Sequence, residues 1–356
     1  MTKSKLLAAV TVPNTDYLMK PFSADVLEGR LSPQTREVIV SATQPNGMND
    51  IFDKVNHAEI PPEELRKMMG SSDARHTDRH PLTVADQTIA GDLKVQTYVQ
   101  TELKNQTLPV ILFIHGGGFT GGSLDNIAMA CHVLADDGAV KVIAFDYGLA
   151  PEHPYPEGLL ACYRGLVYLH QHADEFKIDP EQMTMFGDSA GGNLTYTTAL
   201  LDLAMGTHYL SACVTLYPVT YQGKDPKRRH YFDDPANLNL TDPDKDKIAQ
   251  FLTTFNANQT IDKWYIKDAD PESMYISPLN APESLLKQLP RTLFMVGEFD
   301  PLRLQGEAFY KKVKLAGGDI RYIRYNGMTH AFMDEVGNYP QADDALGEVA
   351  KFVLNK

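Results

Sequence analysis

The chain has 356 residues, 43% hydrophobic and 22% charged, with a formal net charge of −13 at pH 7. That is the composition of a soluble globular protein, long enough for one large domain or two. The acidic balance argues against nucleic acid as a partner, since phosphate binding needs a basic surface and the clearest Lys/Arg run is the short Lys227-Arg228-Arg229; no apolar stretch reaches the length of a membrane span.

Three cysteines, Cys131, Cys162 and Cys213, are odd in number, widely spaced and set in apolar stretches. They read as buried free thiols in a reducing, cytoplasmic compartment. Residues 3–12 hold two lysines and a short apolar run at 6–10. The run is short, and Pro13-Asn14-Thr15-Asp16 lacks a small-residue cleavage pattern, so no secretory leader is expected. A homo-oligomer is compatible with this composition.

Residues 1 to about 80 carry scattered apolar positions and turn formers such as Gln44-Pro45-Asn46-Gly47. Residues 61–69 read as a short helix with proline near its first turn. No strand alternation is clear there, so helices and loops lying over another part of the fold are expected. The texture changes at Leu82. Residues 82–89 and 94–99, joined by Ala90-Gly91-Asp92, read as a hairpin. Apolar strands at 110–114, 141–145, 182–186 and 210–217 then alternate with helical patterns at 127–136, 156–176 and 193–205. This alternation predicts an α/β fold, a mostly parallel sheet with helices on both faces. Residues 221 to about 280 are polar and irregular, with helices expected at 242–255 and around Trp264. That is too long for a loop and reads as an insertion over one sheet edge. Regularity returns with strands at 291–297 and 320–325 and helices at 305–316 and 343–354.

The strand at 182–186 runs into Gly187-Asp188-Ser189-Ala190-Gly191-Gly192, and the helix at 193–205 runs out of it. G-x-S-x-G at a strand–turn–helix junction is the setting of a nucleophile elbow. Gly187 and Gly191 remove Cβ atoms that would crowd a strained serine turn and an incoming substrate. The helix N-terminus adds unpaired N–H groups and partial positive charge beside the serine oxygen. Upstream, His115-Gly116-Gly117-Gly118-Phe119 follows a buried strand. Consecutive glycines let N–H groups converge where a tetrahedral oxyanion would form, as acyl transfer requires. A phosphate loop would need Lys-Ser/Thr where Phe119-Thr120 stands. His115 has no partner at metal-ligand spacing and reads as a support for this loop.

An acid and then a histidine should follow the serine. His208, His230 and His330 lie beyond Ser189. His330 leaves the last strand in a loop at the same sheet edge as the elbow. His230 sits in the irregular insertion, and His208 ends a helix. Asp300 lies in the loop past the strand at 291–297, directly before Pro301, whereas Glu298 is closer to the strand end.

In order and spacing, several motifs together resemble the hormone-sensitive-lipase-like family of α/β-hydrolases, which includes bacterial acetyl esterases and carboxylesterases. They are His115-Gly116-Gly117-Gly118, the run from Asp146-Tyr147-Gly148 to Glu152-His153-Pro154, the serine motif, Asp300-Pro301-Leu302 and His330-Ala331-Phe332. The resemblance runs from about residue 82 onward. It implies an α/β-hydrolase fold with a helical cap, Ser189 as nucleophile, Asp300 as acid and His330 as base. It implies Gly117, Gly118 and Ala190 as oxyanion donors, no metal or organic cofactor, and a small-molecule ester of short acyl chain as substrate. Residues 1–80 resemble a cap segment and residues 81–356 the catalytic domain, with a cap insertion at about 221–280. A small-molecule amidase or formamidase on the same fold is the alternative. A non-catalytic ligand binder, as among plant gibberellin receptors, would carry a damaged triad, and all three members are present here.

Two positions depart from the family pattern. Gly148 stands where the family often has Arg, and Leu304-Gln305 where it often has Asp-Glu. Asp188 and Glu152 read as structural. Phe22, Tyr231, Phe232, Trp264 and Tyr265 are candidate pocket aromatics, although core packing is the commoner fate of such residues.

Overall fold

The computed structural model describes residues 7–11, 16–23, 28–45, 47–56, 60–69, 74–257 and 260–354. The stretch weighed as a leader, residues 3–12, lies partly outside them. The N-terminal part contains β1 (Val10–Thr11), β2 (Leu18–Lys20), α1 (Pro33–Ala42), α2 (Met48–Asn56) and α3 (Pro62–Met69). Next come β3 (Leu82–Ile89), β4 (Leu93–Gln100), β5 (Leu108–Ile114), α4 (Leu124–Asp137), β6 (Lys141–Asp146), α5 (Glu157–Gln171) and α6 (Ala173–Phe176). The elbow joins β7 (Ile178–Asp188) to α7 (Ser189–Met205), and β8 (Ala212–Leu216) follows. The insertion holds α8 (Pro226–Asp233), α9 (Lys245–Asn256) and a π-helical turn at Ile261–Ile266. The chain closes with α10 (Glu283–Leu286), β9 (Arg291–Gly297), α11 (Arg303–Leu315), β10 (Ile320–Tyr325) and α12 (Pro340–Val353).

The strands form one sheet in the order β1-β2-β10-β9-β8-β7-β5-β6-β4-β3. The run from β10 to β6 is parallel, while β4 and β3 are antiparallel at one edge. Helices α5, α7 and α11 lie on one face, where Tyr196 of α7 meets Phe309 of α11 with ring centroids 4.5 Å apart. Helices α4 and α12 pack together on the other. Strands covered on both sides read as near-continuous apolar runs, which is why β5 to β10 are legible in the sequence. At the edge, β3 leaves residues 84–88 exposed.

Helix α7 is buried along most of its length despite its threonines. Thr195 and Thr197 donate their hydroxyls to the carbonyls of Gly191 and Asn193, at 2.9 and 3.0 Å, whereas the buried Thr198 hydroxyl has no hydrogen-bond partner among the described residues. It ends at Gly206, which takes the left-handed conformation at φ +71°.

The expected absence of strands before residue 82 is corrected. Residues Leu18–Lys20 pair in parallel with Ile323–Tyr325 and extend the main sheet. A strand of three residues has no period to read. Its register is held instead by Lys20, buried and bonded to Asp344 at 2.6 Å and Glu348 at 2.7 Å on α12. Helix α1 begins at Ser32, whose hydroxyl accepts the Thr35 N–H at 3.1 Å, with proline at the first helical position. Helices α1 and α2 then pack on α9. Ile60 and Leu65 form a small apolar cluster with Ile51 and Trp264. All three cysteines are buried free thiols.

Candidate active site

Strand β7 delivers Ser189 to the first position of α7 with φ at +51°, a left-handed conformation that costs a non-glycine residue energy. The turn is close-packed. A Cβ on Gly187 would lie 2.3 Å from Gly191 O, and one on Gly191 would lie 2.0 Å from Ile114 O. Only glycine lets the elbow and the end of β5 approach this closely.

Three residues far apart in the chain meet here. Ser189 Oγ lies 2.9 Å from His330 Nε2, and His330 Nδ1 lies 2.9 Å from Asp300 Oδ2. The other carboxylate oxygen of Asp300 accepts the Leu302 N–H at 2.8 Å, which fixes its orientation. Asp300 is fully buried. An ionised carboxylate can only accept, so His330 carries its proton on Nδ1 and leaves Nε2 free to accept from the serine. The two loops are pinned to each other: Phe299 N–H donates to Met328 O at 2.8 Å, and Thr329 Oγ1 donates to Phe299 O at 3.1 Å. Burial alone would lower the His330 pKa. The charge and hydrogen bond of Asp300, with Asp188 and Asp334 behind them, outweigh it, and the net shift is upward. His208 and His230 are not part of this arrangement. Glu298 is not either; its carboxylate accepts Gly29 N–H at 2.6 Å and Gly327 N–H at 2.9 Å, tying the N-terminal part to the His330 loop.

The glycine loop after β5 turns back beside the serine. Gly117 and Gly118 have φ of +111° and +59°, and neither N–H donates to an acceptor among the described residues. The Ala190 N–H belongs to the first turn of α7, where no intrahelical acceptor exists. Gly116 N–H donates to Asp188 Oδ1 at 2.8 Å. Burial pushes the Asp188 carboxyl up to about 6, against the opposing pull of that hydrogen bond. His115 is buried, with Nδ1 2.7 Å from Gly116 O and its ring stacked on Tyr147 at 4.5 Å. Burial lowers its pKa and keeps it neutral.

A family model for the alpha/beta hydrolase fold matches residues 111–334. The chain belongs to the hormone-sensitive-lipase-like family of α/β-hydrolases. It is 33% identical over 241 residues to a carboxylic ester hydrolase of Mycobacterium tuberculosis, covering 64% of this chain and 57% of that one. It is 27% identical over 298 residues to an arylesterase of Saccharolobus solfataricus, covering 82% and 91%. A fungal esterase structure from Rhizomucor miehei superposes with a TM-score of 0.73 at 26% identity, over 92% of this chain and 96% of that one.

In this α/β-hydrolase the serine opens into a cavity of about 190 Å³. Gly117, Gly118 and His330 line it, with Leu65, Phe255 and Ile261 among its apolar lining residues. Asp334 also lines it, open to solvent yet packed round by protein, which together with the Asp188 charge pushes its carboxyl up to about 7. None of the five candidate aromatics lines the cavity. Tyr265 stacks on Phe119 at 3.9 Å, Trp264 joins the Leu65 cluster, Phe232 is buried and Tyr231 is half exposed; Phe22 packs at Gly327.

The two departures have local accounts. A Cβ on Gly148 would lie 2.6 Å from His153 Cγ, so the histidine occupies that space. Gln305 Oε1 accepts the N–H groups of Thr220 at 2.8 Å and Tyr221 at 2.7 Å, a task a neutral amide performs. Sequence reasoning missed Leu65, Phe255 and Ile261 as lining residues. They come from helices of the N-terminal part and the insertion, with no motif to mark them.

Proposed function

We propose that this protein is a carboxylic-ester hydrolase that works through an acyl-enzyme on Ser189. The observation that carries the reading is the unbroken chain of hydrogen bonds from Ser189 Oγ through the imidazole of His330 to Asp300. His330 Nε2 takes the serine proton as Oγ attacks the ester carbonyl. Asp300 holds the ring and stabilises the imidazolium. The N–H groups of Gly117, Gly118 and Ala190 receive the oxyanion, and His330 returns the proton to the leaving alcohol. Water then attacks the acyl-enzyme with the same histidine as base. Each step moves a proton between side chains and substrate.

The favoured substrates are small esters with acyl chains of about two to six carbons. A cavity of about 190 Å³ beneath α3, α9 and the Ile261–Ile266 turn supports this. In this reading those elements are the cap, drawn from residues 1–80 and 221–280, over a catalytic domain at 81–356. A hydrophobic pocket discriminates by about 1–3 kcal/mol per methylene, so activity should decline in steps until the chain meets the pocket floor. The test is kcat/KM over 4-nitrophenyl esters of rising acyl length, with a triolein emulsion at one extreme and 4-nitroanilides for amide cleavage. A maximum among short esters is expected. A maximum at about ten carbons or beyond, or faster anilide than ester cleavage, contradicts the reading.

A further inference from the structure

Arg66 lies on α3, next to Leu65 at the cavity wall, and its guanidinium is spread over three acceptors. Nε donates to Thr120 O at 2.7 Å, Nη2 donates to Ala150 O at 2.8 Å, and Nη1 reaches Glu152 Oε1 at 3.1 Å, with Nη2 also on that carboxylate. Thr120 and Ala150 belong to two different loops. The first is the glycine loop that ends β5; the second leaves β6. They are already joined by Ala150 N–H donating to Phe119 O at 2.9 Å. One side chain from the N-terminal part therefore bridges both.

The path inward from Arg66 is short and made of peptide planes. Thr120 O and Gly121 N–H are the two ends of one peptide unit. Gly121 N–H donates to Gly117 O at 2.8 Å, and Thr120 N–H donates to the same oxygen at 3.1 Å. Gly117 O and Gly118 N–H are again the two ends of one peptide unit, and a planar trans peptide points them in opposite directions. Fixing Gly117 O therefore fixes where the Gly118 N–H points. A cation on the outer end also polarises each unit in turn, which strengthens the donor at the inner end.

We propose that Arg66 is a positioning residue for the oxyanion loop: through the Thr120–Gly121 and Gly117–Gly118 peptides it sets the direction and donor strength of the Gly118 N–H. The inference rests on the ester-hydrolase reading above. Glu152 orients the guanidinium, and the space at Gly148 is taken by His153, so the cation Glu152 meets is delivered from α3. The role needs a planar fork with several donors, which lysine lacks.

The test compares wild type with Arg66→Met and Arg66→Lys in the full chain. It measures kcat and KM for 4-nitrophenyl acetate, the inhibition constant of a trifluoromethyl ketone, thermal unfolding, and amide exchange across residues 115–122. A ketone that adds to the serine presents an oxyanion, so its affinity reports the donors directly. In Arg66→Met kcat should fall about tenfold or more with little change in KM, since small misplacements of catalytic groups carry costs of that size. Ketone affinity should fall by the same factor, Gly121 exchange should quicken, and Lys should recover little. If Arg66→Met does not fold, Glu152→Gln keeps Arg66 and carries the same expectations at smaller size. Unchanged kcat and ketone affinity, with only a lower melting temperature or a higher KM, would overturn the proposal and leave Arg66 as a tether for α3. A wild type that hydrolyses no ester would count against the functional reading instead, and Gly121 exchange would still decide the positioning.

Discussion

The Asp188 carboxylate accepts the Gly116 N–H at 2.8 Å, so the residue before the serine holds the loop that carries Gly117 and Gly118. The proposed nucleophile and its proposed oxyanion donors are thereby tied together. Asp188→Ala removes the acceptor, leaves a buried N–H unpaired and should lower kcat for a short ester by about tenfold or more. Asp188→Asn keeps an acceptor and should retain most of the activity. It should also change stability. Burial raises the Asp188 pKa to about 6 from an ordinary value of 3.8, so the folded state holds a proton that the unfolded chain releases. Stability therefore declines as pH rises from about 4 to about 6 and is level above. Asp188→Asn lacks that decline and should be more stable at pH 8 by about 2–3 kcal/mol, a gain that vanishes near pH 4. Denaturant titrations at the two pH values check it.

The pH profile of kcat/KM should have an acid limb above the ordinary histidine value. His330 must be neutral to accept the serine proton, and the charge of Asp300 beside it outweighs burial and raises its pKa. Asp188 and Asp334 push in the same direction. Asp334→Asn and Asp188→Asn should each move the limb to lower pH. Because Asp334 itself titrates near 7 in the wild type, the limb belongs to the coupled groups together. A limb that stays in place in both variants contradicts this electrostatic account.

Asp300→Asn should lower kcat by about 10³–10⁴-fold with little loss of folding, because an amide cannot hold the imidazole in the required tautomer or stabilise its charge. His330→Ala should cost a comparable factor, and the double variant little more, since the three residues act as one unit. Additive losses would show that they act separately.

Lys20→Met tests the edge strand. Lys20 is buried against Asp344 and Glu348, and removing it leaves two carboxylates together in the interior. The loss should be about 3–5 kcal/mol in a denaturant titration, with the catalytic residues themselves untouched. A change of under about 1 kcal/mol would mean that β2 is held by its backbone pairing alone.

The central sheet and the Ser189–His330–Asp300 geometry were the most legible parts of the chain. Strands buried on both faces are forced to be apolar throughout, and Ser189, Asp300 and His330 sit at the ends of such strands. Strand β2 was illegible because three residues carry no period, and its anchors, Asp344 and Glu348, lie over 300 residues away. The cavity walls were illegible for a related reason. Leu65, Phe255 and Ile261 are apolar residues on short amphipathic segments, where nothing local separates a residue facing the core from one facing the cavity. The five aromatics misled because large rings found partners elsewhere, as Tyr265 did on Phe119. Asp188 and Glu152 were visible as motif members, but their partners, Gly116 and Arg66, are set only by the folded chain.

The most direct test of the account is covalent capture of the nucleophile. An organophosphate should inactivate the enzyme at one equivalent, and peptide mass spectrometry should find the adduct on Ser189. Ser189→Ala should take no label and hydrolyse no 4-nitrophenyl butyrate above background. An adduct on another serine, or full ester hydrolysis by Ser189→Ala, would contradict the central claim.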